Sequence, residues 1–234
     1  MSNTGAQPGS AGSWPVPAVH VITATQAAQL GHTFSAEGDG FLVMGERCAS
    51  DHAEVHLAAA PVEQLGKLQD PALMDNFLTR VYCHARWREL TAEPLSLSRH
   101  QLQLFHQRYK YMLMATDREQ YRALGRMVAS YPEPPAEFAQ RYFPQLIEAL
   151  RQLATRQTHT NVLQHLAGYL KKPLSAADKR QLQDLVQRYR TGLVPLAEPV
   201  ALLKRHFLHH PHPYISDQAY LYPYPDEIHL RHLF

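Results

Sequence analysis

The feature that most constrains the fold is a series of apolar stripes at helical spacing that continues from residue 98 to the C-terminus. Ser98, Asp117 and Ser175 each stand directly before such a stripe, and these side chains cap helices by accepting hydrogen bonds from free backbone amides. Gly192 suits a helix C-cap, because glycine adopts the left-handed conformation without strain. The pattern predicts a bundle of about six helices. The predicted segments are 98–115, 117–130, 135–154, 158–172, 175–192 and 196–209.

The N-terminal third carries weaker signals. The first residues are Gly, Ser, Ala and Pro with one Trp, which is typical of a disordered leader. Val19–Ile22 and Phe41–Met44 predict two short buried strands, whereas residues 54–60 fit a strand or a helix equally well. Asp70-Pro71 predicts the start of a helix that continues to about Glu89. We therefore expect a mainly α protein with three parts: a disordered leader (1–17), a small degenerate α/β segment (18–90) and an all-helical domain (98–234).

Composition limits the class of protein. The chain has 234 residues, of which 45% are hydrophobic, and this is enough for an ordinary globular core. No apolar run reaches the roughly 18 residues that a membrane-spanning helix needs, and the N-terminus does not have the pattern of a secretory signal. The two cysteines, Cys48 and Cys83, make neither a disulfide framework nor a zinc site. These observations predict a cytoplasmic protein.

The net charge of +2 hides an asymmetry between the two parts of the chain. Residues 1–97 contain five Lys and Arg against ten Asp and Glu, a net charge of −5. Residues 98–234 contain eighteen against eleven, a net charge of +7, together with ten of the fifteen histidines. A basic domain of this kind favours an anionic partner.

The stretch from Leu150 to Lys172 brings many polar and cationic side chains together in the sequence. It reads as a helix end, a polar joint and the start of a second helix, for which Thr158 or Thr160 is the predicted cap. Free amides at a helix N-terminus favour anions, and neighbouring cations strengthen that preference, so this surface suits phosphate. The polar and cationic side chains are Arg151, Arg156, His159, Asn161, Gln164, His165, Lys171 and Lys172.

Basic and aromatic residues also alternate at two other places. His106, Arg108 and Lys110 alternate with tyrosines, and Arg188 and Arg190 flank Tyr189. Phosphates bind cations, and unstacked bases bind aromatic or guanidinium planes, so the pattern is compatible with RNA binding. The alternative interpretation is a tyrosine-rich core face beside a solvated charged face.

No sequence motif indicates catalysis or a cofactor. A nucleophile elbow, a phosphate-binding glycine loop and a dinucleotide fingerprint are all absent from the sequence. The histidines of HHPHP (209–213) fit capping and surface roles better than a metal site, since no carboxylate lies within a turn. Asp226 and Glu227 fit the first turn of a helix, and Cys83 fits an inert buried thiol. We therefore predict no catalytic residues, no metal and no cofactor.

Three blocks of the sequence resemble the YbgA-like domain, a bacterial domain of unknown function. The blocks are LFHQRYKYMLMATD, ATRQTHTNVLQHLAGYLKK, and YRTGLVPLAEPVALLKRHF followed by PHPYISDQAYLYPYPDEIHLR. The resemblance covers about residues 98–234 and implies a helical domain. In many bacteria the domain is fused behind a desulfidase domain similar to TudS, which is associated with removing sulfur from thiolated uridine in tRNA.

The N-terminal segment resembles a shortened form of that desulfidase domain. Residues 61–90 are similar to its end, where it joins the linker. The desulfidase family holds an iron–sulfur cluster with three cysteines, whereas this chain has only two in total, so the resemblance implies that cluster chemistry has been lost.

These observations lead to the hypothesis of a non-catalytic RNA-binding protein, with tRNA as the expected RNA. One alternative is an enzyme acting on a nucleotide or thiolated base through His159, Asn161 and Arg156, which predicts a deep polar pocket around them. A second alternative is a protein-interaction scaffold whose partner is a separate desulfidase or a stress-response protein. The predicted RNA-binding residues are Arg108, Tyr109, Lys110, Arg156, His159, Asn161, Lys171, Lys172 and Arg190.

Overall fold

The structure, a computed structural model, describes Pro15 and residues 17–23, 40–44, 60–228 and 230–234. Eight α-helices and three β-strands lie within these residues. The strands are β1 (Val19–Thr23), β2 (Gly40–Met44) and β3 (Val62–Gln64). The helices are α1 (Pro71–Leu90), α2 (Arg99–Thr116), α3 (Arg118–Ala129), α4 (Pro135–Arg151), α5 (Arg156–Tyr169), α6 (Ala176–Arg190), α7 (Ala197–His209) and α8 (Pro213–Ser216). The mainly α prediction is therefore confirmed.

The strands form a parallel sheet in the order β1-β2-β3. The two predicted strands are confirmed, but β1 is not buried as predicted, because it is the edge strand and its Val19 and Val21 are exposed. The third strand, β3, was missed because it has only three residues, each partly buried. Residues 54–59, whose structure the sequence left open, lie outside the described residues. The sheet lies close against α1. A Cβ on Gly40 would come within 2.6 Å of Cγ2 of Val81, so only glycine allows this approach.

The helices share one large hydrophobic core, in which α2 packs against α3, α4 and α5, and α6 lies between α5 and α7. Helix α1 belongs to the same core. Trp87 of α1 stacks on Phe143 of α4, with ring centres 4.5 Å apart and an angle of 3° between the planes. Burying an aromatic side chain of this size stabilises the fold by about 2–3 kcal/mol. The helix that the sequence placed in the N-terminal segment is thus anchored in the helical bundle.

The helix boundaries follow the capping residues. Ser98, Asp117 and Ser175 are the N-caps of α2, α3 and α6, as predicted. Gly192 has the positive φ of 82° that a C-cap glycine adopts.

The predicted start of the helix after Leu150 was wrong. The N-cap is Thr155, and its N–H donates to the Thr158 hydroxyl over 2.9 Å in a capping box. The Thr160 hydroxyl instead donates to the carbonyl of Arg156. A threonine side chain can cap a helix N-terminus or donate to the carbonyl four residues earlier. The reciprocal hydrogen bonds between Thr155 and Thr158 make Thr155 the N-cap.

The C-terminal tail is held by short helical turns. The short helix α8 is followed by two 3₁₀ turns, at Asp226–Ile228 and Leu230–His232. The second turn places Arg231 in the protein interior against α1. Among the described residues, none of the helices has the length and hydropathy needed to cross a bilayer.

Candidate functional site

Eight of the nine predicted RNA-binding residues fall into three groups and Arg108 lies apart from them, so the nine do not converge on the start of one helix. The first group, Tyr109 and His159, is buried. The Tyr109 side chain is 0% exposed, and its hydroxyl accepts a hydrogen bond from Nη1 of Arg86 over 3.2 Å. Burial raises the Tyr109 pKa well above its usual value. Tyr109 therefore belongs to the core and presents no ring face to a ligand.

His159 lies behind the surface rather than on it. It is 6% exposed, and its Nδ1 lies 2.9 Å from the Tyr220 hydroxyl. Burial lowers the His159 pKa to about 3, and the neighbouring Arg231 adds to this effect. The ring is therefore neutral at physiological pH and supplies no positive charge to an anion.

The second group surrounds the start of α5. Nη1 of Arg156 donates to the Tyr189 carbonyl over 2.9 Å, and its guanidinium lies 4.6 Å from the centre of the Tyr189 ring. Arg190 follows directly at the end of α6 and is exposed, while Asn161 is half-buried. Arg156 thus ties α5 to α6 and places Arg190 close to it.

The third group lies at the opposite end of α5. Lys171 and Lys172 are exposed in the turn that follows the helix. Lys110 of α2 is close by, because the adjacent Tyr111 donates its hydroxyl hydrogen to the Tyr169 hydroxyl over 3.1 Å. At 1.5 Å per residue, the fourteen residues of α5 separate this group from Arg156 by roughly 20 Å.

Arg108 precedes the third group on α2 but is already paired. Its Nη2 lies 3.5 Å from Oδ2 of Asp217. The backbone beside it is also fixed, since the Arg108 carbonyl accepts from the N–H of Ala219 over 2.9 Å. Arg108 therefore helps to attach the segment after α8 to α2.

The third group is part of a cationic and aromatic patch, which we name the lysine–tyrosine surface. The rings of Tyr169 and Tyr214 stack with their centres 5.9 Å apart and 17° between their planes. The His212 and Tyr169 rings make an edge contact with their centres 4.9 Å apart, and the Tyr111 and Tyr214 rings make one with their centres 6.3 Å apart. The surface consists of Lys110, Tyr169, Lys171, Lys172, His212 and Tyr214, and the buried Tyr111 supports it from below.

The lysines of this surface remain available for an anion. Within the described part of the chain, Lys171 and Lys172 form no ion pair with a carboxylate. Partial burial by itself would lower the Lys110 pKa, but the hydrogen bond to Tyr214 and the nearby tyrosines raise it above the usual value. Lys110 is therefore positively charged at neutral pH, with Nζ 5.6 Å from the Tyr214 ring centre.

Sequence reasoning found the three lysines but missed Tyr169, His212 and Tyr214. Tyr169 stands two residues before Lys171, and this adjacency was the only local signal. His212 and Tyr214 lie far along the chain and reach the surface through the position of α8. Nδ1 of His212 accepts from the Tyr214 N–H over 3.2 Å, so this histidine caps the N-terminus of α8.

A buried polar network supports the start of α5 from behind. Nε of Arg231 donates to Oδ1 of Asp75 over 2.8 Å, and its Nη1 donates to the Tyr220 carbonyl over 2.6 Å. The Tyr224 hydroxyl donates to the same Asp75 oxygen. Because the Tyr220 hydroxyl contacts His159, the network links the C-terminal tail to both α1 and α5.

The cavity beside this network is small. It has a volume of about 30 Å³ and is lined by Asp75, Asn76, Thr79 and His159 among others. This volume holds about one water molecule, whereas ligand pockets have volumes of roughly 300–1,000 Å³. The deep polar pocket that the enzyme alternative requires around His159 is therefore not present among the described residues.

The second cavity lies between α7 and the tail and has a volume of about 190 Å³. Nζ of Lys204 binds Oδ1 of Asp226 at its edge and lies 4.4 Å from the Tyr222 ring centre. Asp226, which could have served as an acid–base group, is thus engaged in an ion pair that holds the tail on α7.

The fold and this surface define a class of mainly helical protein with a small parallel sheet and one cationic, aromatic patch. Residues 110–225 match the family described as "Protein of unknown function (DUF1722)". The chain is 30% identical over 160 residues to "Uncharacterized protein YbgA" of Escherichia coli (strain K12), covering 68% of this chain and 94% of that protein. No solved structure matches the chain. The chain belongs to the YbgA family, as the sequence resemblance predicted.

Proposed function

We propose that this protein binds RNA without catalysing a reaction on it, and that the lysine–tyrosine surface is the main contact. The observation that carries the proposal is the position of Lys171 and Lys172, which are exposed, form no ion pair with any described residue, and lie at the end of the helix whose Tyr169 stacks on Tyr214. Cations bind phosphate, and aromatic rings bind bases, so a surface with both favours a nucleic acid over a simple anion.

The second cationic group supports a long ligand. Arg156 lies roughly 20 Å from Lys171 along α5, and Arg190 follows Tyr189, whose carbonyl accepts from Arg156. A single nucleotide cannot span this distance, whereas a folded RNA carries phosphates along its whole length. We propose that Arg190 makes a secondary phosphate contact and that Arg156 acts mainly by holding α5 on α6.

The choice of tRNA, acting in the cytoplasm, comes from the resemblance to proteins in which a YbgA-like domain follows a desulfidase domain. We propose that residues 18–90 descend from such a domain and have lost its iron–sulfur cluster. Cys83 supports this because it is fully buried and burial raises its pKa to about 12, which disfavours the thiolate that a cluster ligand requires. Cys48 lies outside the described residues.

The proposal is tested by titrating tRNA with the protein in low salt and following the complex by fluorescence anisotropy. We expect binding at micromolar protein, with log K falling by about 0.7–0.9 per log unit of salt for each phosphate contact. Lys171→Glu should weaken binding by about tenfold or more and reduce the salt slope. Lys67→Glu is the matched control, since Lys67 is exposed in the 3₁₀ turn before α1.

The result that contradicts the proposal is the absence of tRNA binding at micromolar protein in low salt. Equal weakening by Lys171→Glu and Lys67→Glu would also contradict it, since the two variants change the net charge by the same amount. In that case the attraction would come from total charge and not from the lysine–tyrosine surface.

A further inference from the structure

We propose that the lysine–tyrosine surface recognises an unpaired nucleotide whose base stacks on Tyr169, and not the backbone of a duplex. The inference rests on the proposed RNA binding and specifies which part of an RNA the surface takes.

The Tyr169 side chain is held in position by three contacts. Its ring stacks on Tyr214 with the ring centres 5.9 Å apart, lies nearly perpendicular to the His212 ring with the centres 4.9 Å apart, and its hydroxyl accepts a hydrogen bond from Tyr111 over 3.1 Å. Despite these three contacts, the residue remains 36% exposed. A large aromatic side chain that is both immobilised and open to solvent has lost its conformational entropy before a ligand arrives, which favours binding.

An exposed ring of this kind gains little from a duplex. Bases inside a duplex are already stacked on their neighbours, and duplex RNA is recognised mainly through phosphates and 2′-hydroxyls. An unpaired base in a loop or at an end has a free face, and stacking it on an aromatic side chain strengthens binding about 5- to 150-fold. The geometry of Tyr169 therefore selects single-stranded or looped-out nucleotides.

Lysines close to Tyr169 supply positive charge for the phosphates of the bound nucleotide. Lys171 and Lys172 follow Tyr169 by two and three residues, and Nζ of Lys110 lies 5.6 Å from the ring centre of Tyr214, which stacks on Tyr169. The C-terminal end of α5 carries a partial negative charge, which by itself repels phosphate. The three lysines offset this charge, so the surface combines one stacking position with nearby cations.

The test uses three dye-labelled probes: a single-stranded RNA, a blunt duplex of the same sequence, and the single strand with 2-aminopurine at one position. Wild-type protein should bind the single strand more tightly than the duplex and should quench the 2-aminopurine emission through stacking. Tyr169→Ala should weaken single-strand binding by about 5- to 150-fold and remove the quenching. Tyr169→Phe keeps the ring and should stay within about threefold of wild type, which separates stacking from the loss of the hydroxyl hydrogen bond.

Each variant is first checked for folding by circular dichroism and thermal melting, and Tyr169→Trp serves as a second variant that restores the aromatic plane. If Tyr169→Ala binds both RNAs as wild type does while Lys171→Glu is weakened, RNA binding stands and base stacking is refuted. If no probe binds at all, the proposed function itself fails. If poly-glutamate displaces the RNA at equal charge concentration, the surface is a general polyanion site and the inference is overturned.

Discussion

Replacing Asp75 by Asn should destabilise the protein severely, because Asp75 is the only carboxylate that contacts Arg231 among the described residues. Its oxygens accept from Nε and Nη2 of Arg231, at 2.8 and 3.5 Å, and from the Tyr224 hydroxyl. Both members of the ion pair are buried. Burial by itself would lower the Arg231 pKa, but Asp75 raises it above its usual value in the wild type. In the variant the arginine also stays charged, because a guanidinium is not deprotonated in proteins.

The variant should lose folding stability because the buried Arg231 charge is left without its carboxylate partner. Removing one partner of a buried ion pair costs about 3–5 kcal/mol. For a protein of this size each kcal/mol lowers Tm by about 2–4 °C, so Tm should fall by roughly 6–20 °C. Urea denaturation followed by circular dichroism gives the free energy of unfolding directly. The loss should change little between low and high salt, because buried charges are weakly screened.

A double variant, Asp75→Leu with Arg231→Met, tests the reasoning. Removing both charges at once should recover most of the loss, leaving about 1–2 kcal/mol because the Tyr220 carbonyl loses its donor. The coupling energy between the two positions should therefore exceed about 2 kcal/mol. A loss below about 1 kcal/mol for Asp75→Asn, or strictly additive losses in the double variant, would refute the claim that the pair is a coupled buried unit.

Three further perturbations test other parts of the structure. Burial lowers the pKa of His159 to about 3 and that of His106 to about 4, so both rings stay neutral in the folded protein. The free energy of unfolding should be at its full value above about pH 6.5 and fall by up to about 1.4 kcal/mol per pH unit for each histidine as the pH drops toward those pKa values. Urea midpoints at pH 7, 6 and 5 measure this fall, and a flat profile would contradict the burial of these rings. Gly40→Ala places a Cβ 2.6 Å from Cγ2 of Val81 and should lower the free energy of unfolding by about 1–3 kcal/mol. Adding Val81→Ala to the same chain should relieve part of this loss. Thermal melts that show no difference between Gly40→Ala and the wild type would mean that the sheet does not pack against α1 as described. Thr155→Ala removes the capping box of α5 and should cost about 0.5–2 kcal/mol by urea denaturation, more than Thr158→Val does if Thr155 is the true N-cap.

The helices could be predicted because their signals are local. A cap such as Ser98 or Asp117 acts on amides within the next three residues, so its effect is visible in a short window of sequence. The same reasoning placed the helix after Leu150 three residues late, since threonine at 155, 158 and 160 can each cap. Hydrogen bonds between two of these threonines decided the boundary, and a sequence pattern does not reveal which pair forms them.

The partly correct choice of site residues has a similar explanation. Basic and aromatic residues that alternate on one helix point in several directions, and periodicity does not identify which direction faces solvent in the folded bundle. Tyr109 and Lys110 are neighbours in the sequence, yet Tyr109 lies in the core and Lys110 lies on the lysine–tyrosine surface. The packing of α2 against α3, α4 and α5 separates them.

The sequence by itself determined the mainly helical class, most helix boundaries, the YbgA family and the basic character of residues 98–234. Only the tertiary structure decided that Tyr169, His212 and Tyr214 pack together beside the lysines, and that Arg231 pairs with Asp75, which lies 156 residues away in the sequence. The physical reason is the range of the interactions. Caps and apolar stripes act over one or two turns, whereas a surface built from α2, α5 and α8 exists only after packing has fixed the positions of all three.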